Sequence, residues 1–132
     1  MKTIDALSGL ILEIANLGDV QNSIKKRKVI TIYYDGDEPG GKGYREIEPV
    51  CIGYSKAGNL VLRAWDLTGA SHTKTIGTQI LPGWRMFRLD KIFTYQDTDT
   101  TFDVPRPGFN PNGDKSMTKV ILNAEFNTET DE

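Results

Sequence analysis

A chain of 132 residues fits one domain with a core of ordinary size. Its 16 basic and 18 acidic side chains give a net charge of −2, which excludes a globally basic protein that wraps duplex DNA by charge alone. One cysteine, Cys51, and one histidine, His72, rule out an internal disulfide and argue against a His/Cys zinc site within one chain.

The charge is uneven. Residues 1–95 hold 13 basic against 10 acidic groups, net +3, and residues 96–132 hold 3 against 8, net −5. An acidic tail on a mildly basic body serves solubility or shields a basic site. No secretory signature and no membrane-span pattern is present, so a cytoplasmic protein without membrane contact is expected.

Ile4, Leu7, Ile11, Ile14 and Leu17 recur at helical spacing, which predicts a helix over Thr3–Leu17 with Thr3 as N-cap and Gly18 as stop. A second short helix is expected from Asp19 to Lys26. Lys25-Lys26-Arg27-Lys28 reads as a solvated face or a phosphate contact. Val29–Tyr34 alternates as a strand, and Asp35–Gly43 is a turn-rich hairpin loop. Tyr44–Tyr54 returns, with Pro49 marking an edge or bend because it has no donor. Leu60–Trp65 forms a third strand after the turn Lys56–Asn59. Asp66–Pro82 is a long connection of the kind that serves as a binding loop, with Ser71 and His72 inside it.

Gly83-Trp84-Arg85-Met86-Phe87-Arg88-Leu89-Asp90-Lys91-Ile92 organises the rest, and the strand is read on through Phe93–Tyr95. Its apolar residues are those of a half-buried strand. A guanidinium beside them is costly to desolvate unless a carboxylate or an anion meets it. Arg85 and Arg88 are therefore candidate anion contacts, or else internal partners of residues such as Glu46, Glu48, Asp66 or Asp90. Three residues apart on a straight strand, they face opposite sides unless the strand bulges or ends between them. Beyond Gln96 the chain turns polar. Residues 105–114 are too rich in Pro and Gly for regular structure, and Met117–Phe126 is a final strand or short helix.

The order of these motifs, from about Val20 to Tyr95, resembles the WYL domain, a family found in bacterial transcription regulators and in some stand-alone and phage proteins. The resemblance is carried by Ile24–Tyr34, with a basic helix end and a strand closing in Tyr, and by Arg45-Glu46-Ile47-Glu48-Pro49. It continues at Leu60–Asp66, where Leu62 stands for the Leu of the Trp-Tyr-Leu triplet and the Trp and Tyr are not retained. Arg85–Ile92 matches the family's last block at every position. The resemblance implies an SH3-like or Sm-like small β-barrel that binds nucleotides or single-stranded nucleic acid through basic residues. It implies Tyr34, Arg45, Arg85 and Arg88 as ligand-binding positions, with Ser71 and His72 as additions from the loop.

The expected organisation is mainly β: residues 1–28 as N-terminal helices packed on the barrel, 29–95 as the barrel, and 96–132 as an acidic C-terminal arm ending in a candidate strand. The expected function is a non-enzymatic module that binds a nucleotide-like anion or a short single strand, regulatory or sequestering, without a cofactor or metal. The alternative is a structural or docking module that assembles with a protein partner or as a homo-oligomer through its C-terminal arm. An enzymatic reading would make His72 a general base oriented by Asp66 or Asp90.

Overall fold

The computed structural model describes residues 16–36, 42–67 and 83–126. Among them are one helix, α1 (Leu17–Lys26), and six strands: β1 (Lys28–Asp35), β2 (Lys42–Ser55), β3 (Leu60–Asp66), β4 (Gly83–Arg88), β5 (Ile92–Thr101) and β6 (Met117–Asn123). All neighbouring strands are antiparallel, in the order β4-β3-β2-β1-β5, with β6 added to β2.

α1 starts two residues earlier than the sequence suggests. Asn16 is the N-cap, and its Oδ1 accepts the Asp19 N–H at 2.8 Å. Gly18 is therefore an interior residue of α1 and not a stop. The helix ends at Arg27, which takes the left-handed conformation (φ 53°) and donates its N–H to the Ile24 carbonyl. Val20, Ser23 and Ile24 are its buried face, and they pack on β2, β1 and β6. Of the helix expected over Thr3–Leu17, residues 3–15 lie outside the described residues, while Asn16 caps α1 and Leu17 opens it instead of closing an earlier helix.

β2 is the long member of the sheet because it serves two neighbours along one edge. Residues 42–47 pair with β1 and residues 51–55 with β6, while β3 runs along the opposite edge over 47–54. Pro49 sits at the changeover. It has no N–H for a ladder, and the register with β3 slips between Pro49 and Cys51. Beyond it the Val50 carbonyl accepts the Ala124 N–H at 2.7 Å. The core lies on the inner face, where Ile30, Ile32, Ile47, Ile52, Leu62, Phe87 and Ile92 are fully buried together with Val20 and Ile24 of the helix.

The chain does not run as one strand through the central stretch. It breaks into a 3₁₀ turn at Leu89–Lys91 that joins β4 to β5, and β5 then continues to Thr101, through the 95/96 boundary read from the sequence. β4 and β5 end the sheet on opposite sides and form no ladder with each other among the described residues, so the sheet is open there and not a closed barrel. A hydrogen bond ties the end of β4 to β1: the Arg88 N–H donates to the Tyr34 hydroxyl at 3.0 Å.

Candidate functional site

The alternation of each strand decides which side chains meet. On β1, Ile30, Ile32 and Tyr34 face inward; on β2, Arg45 and Ile47; on β3, Leu62, Ala64 and Asp66; on β4, Arg85 and Phe87. The register sets Arg45 beside Ile32, Asp66 beside Ile47, and Arg85 beside Ala64. Tyr34, Arg45 and Arg85 thus come from three strands to one face.

Arg45 is 2% exposed and Asp66 is 0% exposed, and Arg45 Nη1 lies 3.3 Å from Asp66 Oδ2. This is a buried ion pair. Arg85, at 9% exposure, sets its guanidinium 5.4 Å from the centre of the Phe87 ring. Tyr34 meets the same ring edge-on at 4.8 Å. Phe87 therefore fixes the positions of both polar neighbours.

Arg88 stands on the other face, as strict alternation requires. Its fork is bidentate on Asp90, with Nε at 3.0 Å from Oδ1 and Nη2 at 2.6 Å from Oδ2. That pair sits at the surface, and the hydrogen bonds from Arg88 hold the Asp90 carboxyl below its ordinary range. Ser71 and His72 lie outside the described residues. Asp66 pairs with Gly83, so the connection that carries them leaves and rejoins the sheet at the end that holds Asp66 and Arg85. The two carboxylates weighed as orienters of His72 are both engaged by arginines. Among the described residues there is no cluster of three or more metal-ligating side chains.

No family model matches the chain, and no curated protein does. A solved structure does: proteasome accessory factor B/C (PafBC) of Arthrobacter aurescens, with a TM-score of 0.53 and 23% identity. The match covers 72% of this chain and 13% of that one. The likeness is one of fold.

The basic run at the end of α1 is dispersed. Lys25 and Lys26 are exposed, Arg27 donates to the Glu125 carbonyl, and Lys28 Nζ donates to the Thr98 carbonyl. Trp65 and Trp84 pack against each other at 5.2 Å. The C-terminal arm covers them: Arg106 lies over Trp65, and Trp84 Nε1 donates to the Pro107 carbonyl at 2.8 Å. Arg106 also forks onto Glu48 at 3.0 and 2.8 Å, and Arg63 pairs with Asp114. A pocket of about 150 Å³ remains under the arm, lined by Val50, Cys51, Trp84, Phe109, Asp114 and Asn123 among others. Burial, aided by the nearby Asp114 charge, pushes the Cys51 thiol up to about 11, so it is no nucleophile at neutral pH. This clasp is what sequence reasoning missed. Its members lie up to 58 positions apart, and no periodic pattern links them.

Proposed function

We propose that the protein is a non-enzymatic module that binds a nucleotide-like anion or a short single-stranded nucleic acid, in a regulatory or sequestering role. The observation that carries the reading is the convergence of Arg45, Arg85 and Tyr34 on one face, at the sheet end where residues 68–82 leave and return. Arg85 takes the phosphate. Its planar fork matches two phosphate oxygens, and stacking on Phe87 limits the orientations it must lose on binding. Arg45 lies on the same face with Asp66 as its partner, and Tyr34 adds a hydroxyl. The proposal keeps Ser71 and His72 as further ligand contacts. Arg88, on the opposite face and forked onto Asp90, is left out of this site. The match of Arg85–Ile92 to the last WYL block supports the reading. The fold likeness to a segment of PafBC is in line with it, and we take the sheet as an SH3-like barrel left open between β4 and β5.

The docking alternative has less support. β6 pairs with β2 of the same chain, so the arm spends its apolar surface internally. Native mass spectrometry of the freshly purified protein tests the proposal. The expected spectrum carries an adduct of nucleotide or oligonucleotide mass, absent from Arg85→Ala. A bare spectrum, with no adduct regained on adding nucleotides or short oligonucleotides, contradicts it.

A further inference from the structure

The face of the sheet opposite the arginine cluster carries a feature that neither the core nor the proposed site uses. Tyr44 on β2 is 70% exposed and Phe93 on β5 is 44% exposed. Both lean on Tyr33 of the intervening β1, with ring centres at 4.9 Å and 6.4 Å. Phe93 reaches this face through an irregularity in the ladder. Tyr33 pairs with Thr94 but Tyr34 with Ile92, which leaves Phe93 as the extra residue of a bulge. Single exposed apolar residues need no explanation, but three aromatic rings in contact across three strands form a patch of the kind that interfaces use.

The charges around the patch decide what it fits. Lys42 and Glu46 lie two residues before and two after Tyr44, on the same face of β2, and both are exposed. The pattern along the strand is positive, aromatic, negative. A two-fold axis through Tyr44, perpendicular to the strand, sets two copies of β2 antiparallel. Lys42 of each copy then meets the partner's Glu46, and the aromatic rings meet at the centre. A two-fold interface needs this self-complementarity. Among the described residues Lys42 pairs with Asp35, at 3.4 Å and well exposed to water, so its change of partner is easy. A nucleic acid strand would also stack on such rings, but Asp35 and Glu46 place carboxylates where its phosphates would run.

We infer that Tyr33, Tyr44 and Phe93, flanked by Lys42 and Glu46, form the interface with a second copy of this chain. The site of the proposed ligand lies on the other face, so the two readings stand or fall separately.

Light scattering on the full chain, at concentrations up to about 100 μM, populates any dimer whose dissociation constant is of that order. The parent's average mass is expected to rise with concentration, reaching about one and a half times the chain mass at the upper end for a dissociation constant of about 100 μM. Tyr44→Ser with Phe93→Ser should give a monomer that melts near the parent temperature, because both side chains point to water. Lys42→Glu and Glu46→Lys should each weaken the dimer about tenfold by bringing like charges together, and the double exchange should restore it. A parent that stays monomeric overturns the inference. So does a dimer that survives the loss of both rings, or one that the double exchange fails to restore. If the parent is monomeric and the ring substitutions lower its melting temperature, the patch covers the chain's own residues, which also overturns it.

Discussion

Arg45 and Arg88 carry the same guanidinium in opposite settings, and replacing them should cost different amounts. Arg45→Ala leaves the Asp66 carboxylate buried without its cation, and breaking a buried pair on one side costs about 3–5 kcal/mol. Arg88→Ala removes an exposed pair and should cost about 0–1 kcal/mol. Urea denaturation of the two variants checks the ordering, and equal losses would contradict it. Replacing Arg45 and Asp66 together by apolar residues of similar volume should recover most of the loss. Cys51 gives a second test at this scale. With its thiol buried and pushed up to about 11, it should resist alkylation at neutral pH until the protein unfolds, as a timed thiol titration in and out of denaturant will show. The family resemblance put Tyr34, Arg45, Arg85 and Arg88 together as ligand positions, and strand alternation left open whether Arg85 and Arg88 share a face; the structure sets Arg88 on the other one. The sequence also left open which carboxylate each arginine would meet, because strand register decides that. Asp66 reaches Arg45 only through the pairing of Ile47 with Asp66, 19 positions away in the chain.

At the scale of elements, period-two alternation located β1, β2 and β3 to within two residues at each end. It failed at β5, where Gln96–Thr101 is polar throughout. That strand is held by its backbone ladder to β1 and carries no buried stripe to betray it. The contact between β2 and β6 is tight at Gly53. A Cβ there would run into the Lys119 carbonyl and come within 2.7 Å of Met117 Sδ. Gly53→Ala should therefore prise β6 away and cost about 1–3 kcal/mol, as overpacking does. A variant that melts with the parent would show that β6 can shift. The arm should also loosen in acid. Burial raises the Asp114 carboxyl, but hydrogen bonds from Arg63 and Ser116 outweigh it and hold the group below its ordinary 3.8. A carboxyl depressed by folding stabilises the folded state above its unfolded value, and that stabilisation is lost as pH falls through the lower folded value. Tryptophan emission should therefore shift as pH drops below 3.8, since the arm covers Trp84. Asp114→Asn should shift the emission already at neutral pH and flatten its change in acid. Emission that follows the parent's at every pH would remove Asp114 from the clasp.

At the scale of the whole molecule, three surfaces divide the work. The inner face holds the core and the arginine cluster, one part of the outer face is closed by the arm, and another presents the aromatic patch. The arm's anchors lie on β2, β3 and β4 at Glu48, Arg63 and Trp84, so it braces the sheet from outside without touching the proposed site. If the ligand is an oligonucleotide, its affinity should fall as salt rises, because phosphate contacts release counterions. A charge-assisted contact from Arg85 should contribute about 1.5–3 kcal/mol, which is roughly ten- to hundredfold in affinity. The measurement that bears most directly on the account is a fluorescence-anisotropy titration of a labelled short single strand at low salt, with unlabelled nucleotides as competitors. It compares the parent, Arg85→Ala and Arg85→Lys, each melted in the same buffer. The account predicts binding by the parent, a ten- to hundredfold loss in Arg85→Ala and little recovery in Arg85→Lys, with both variants still folded at the assay temperature. A parent that binds neither strand nor nucleotide, with Arg85→Ala melting early, would make Arg85 a structural residue and remove the site.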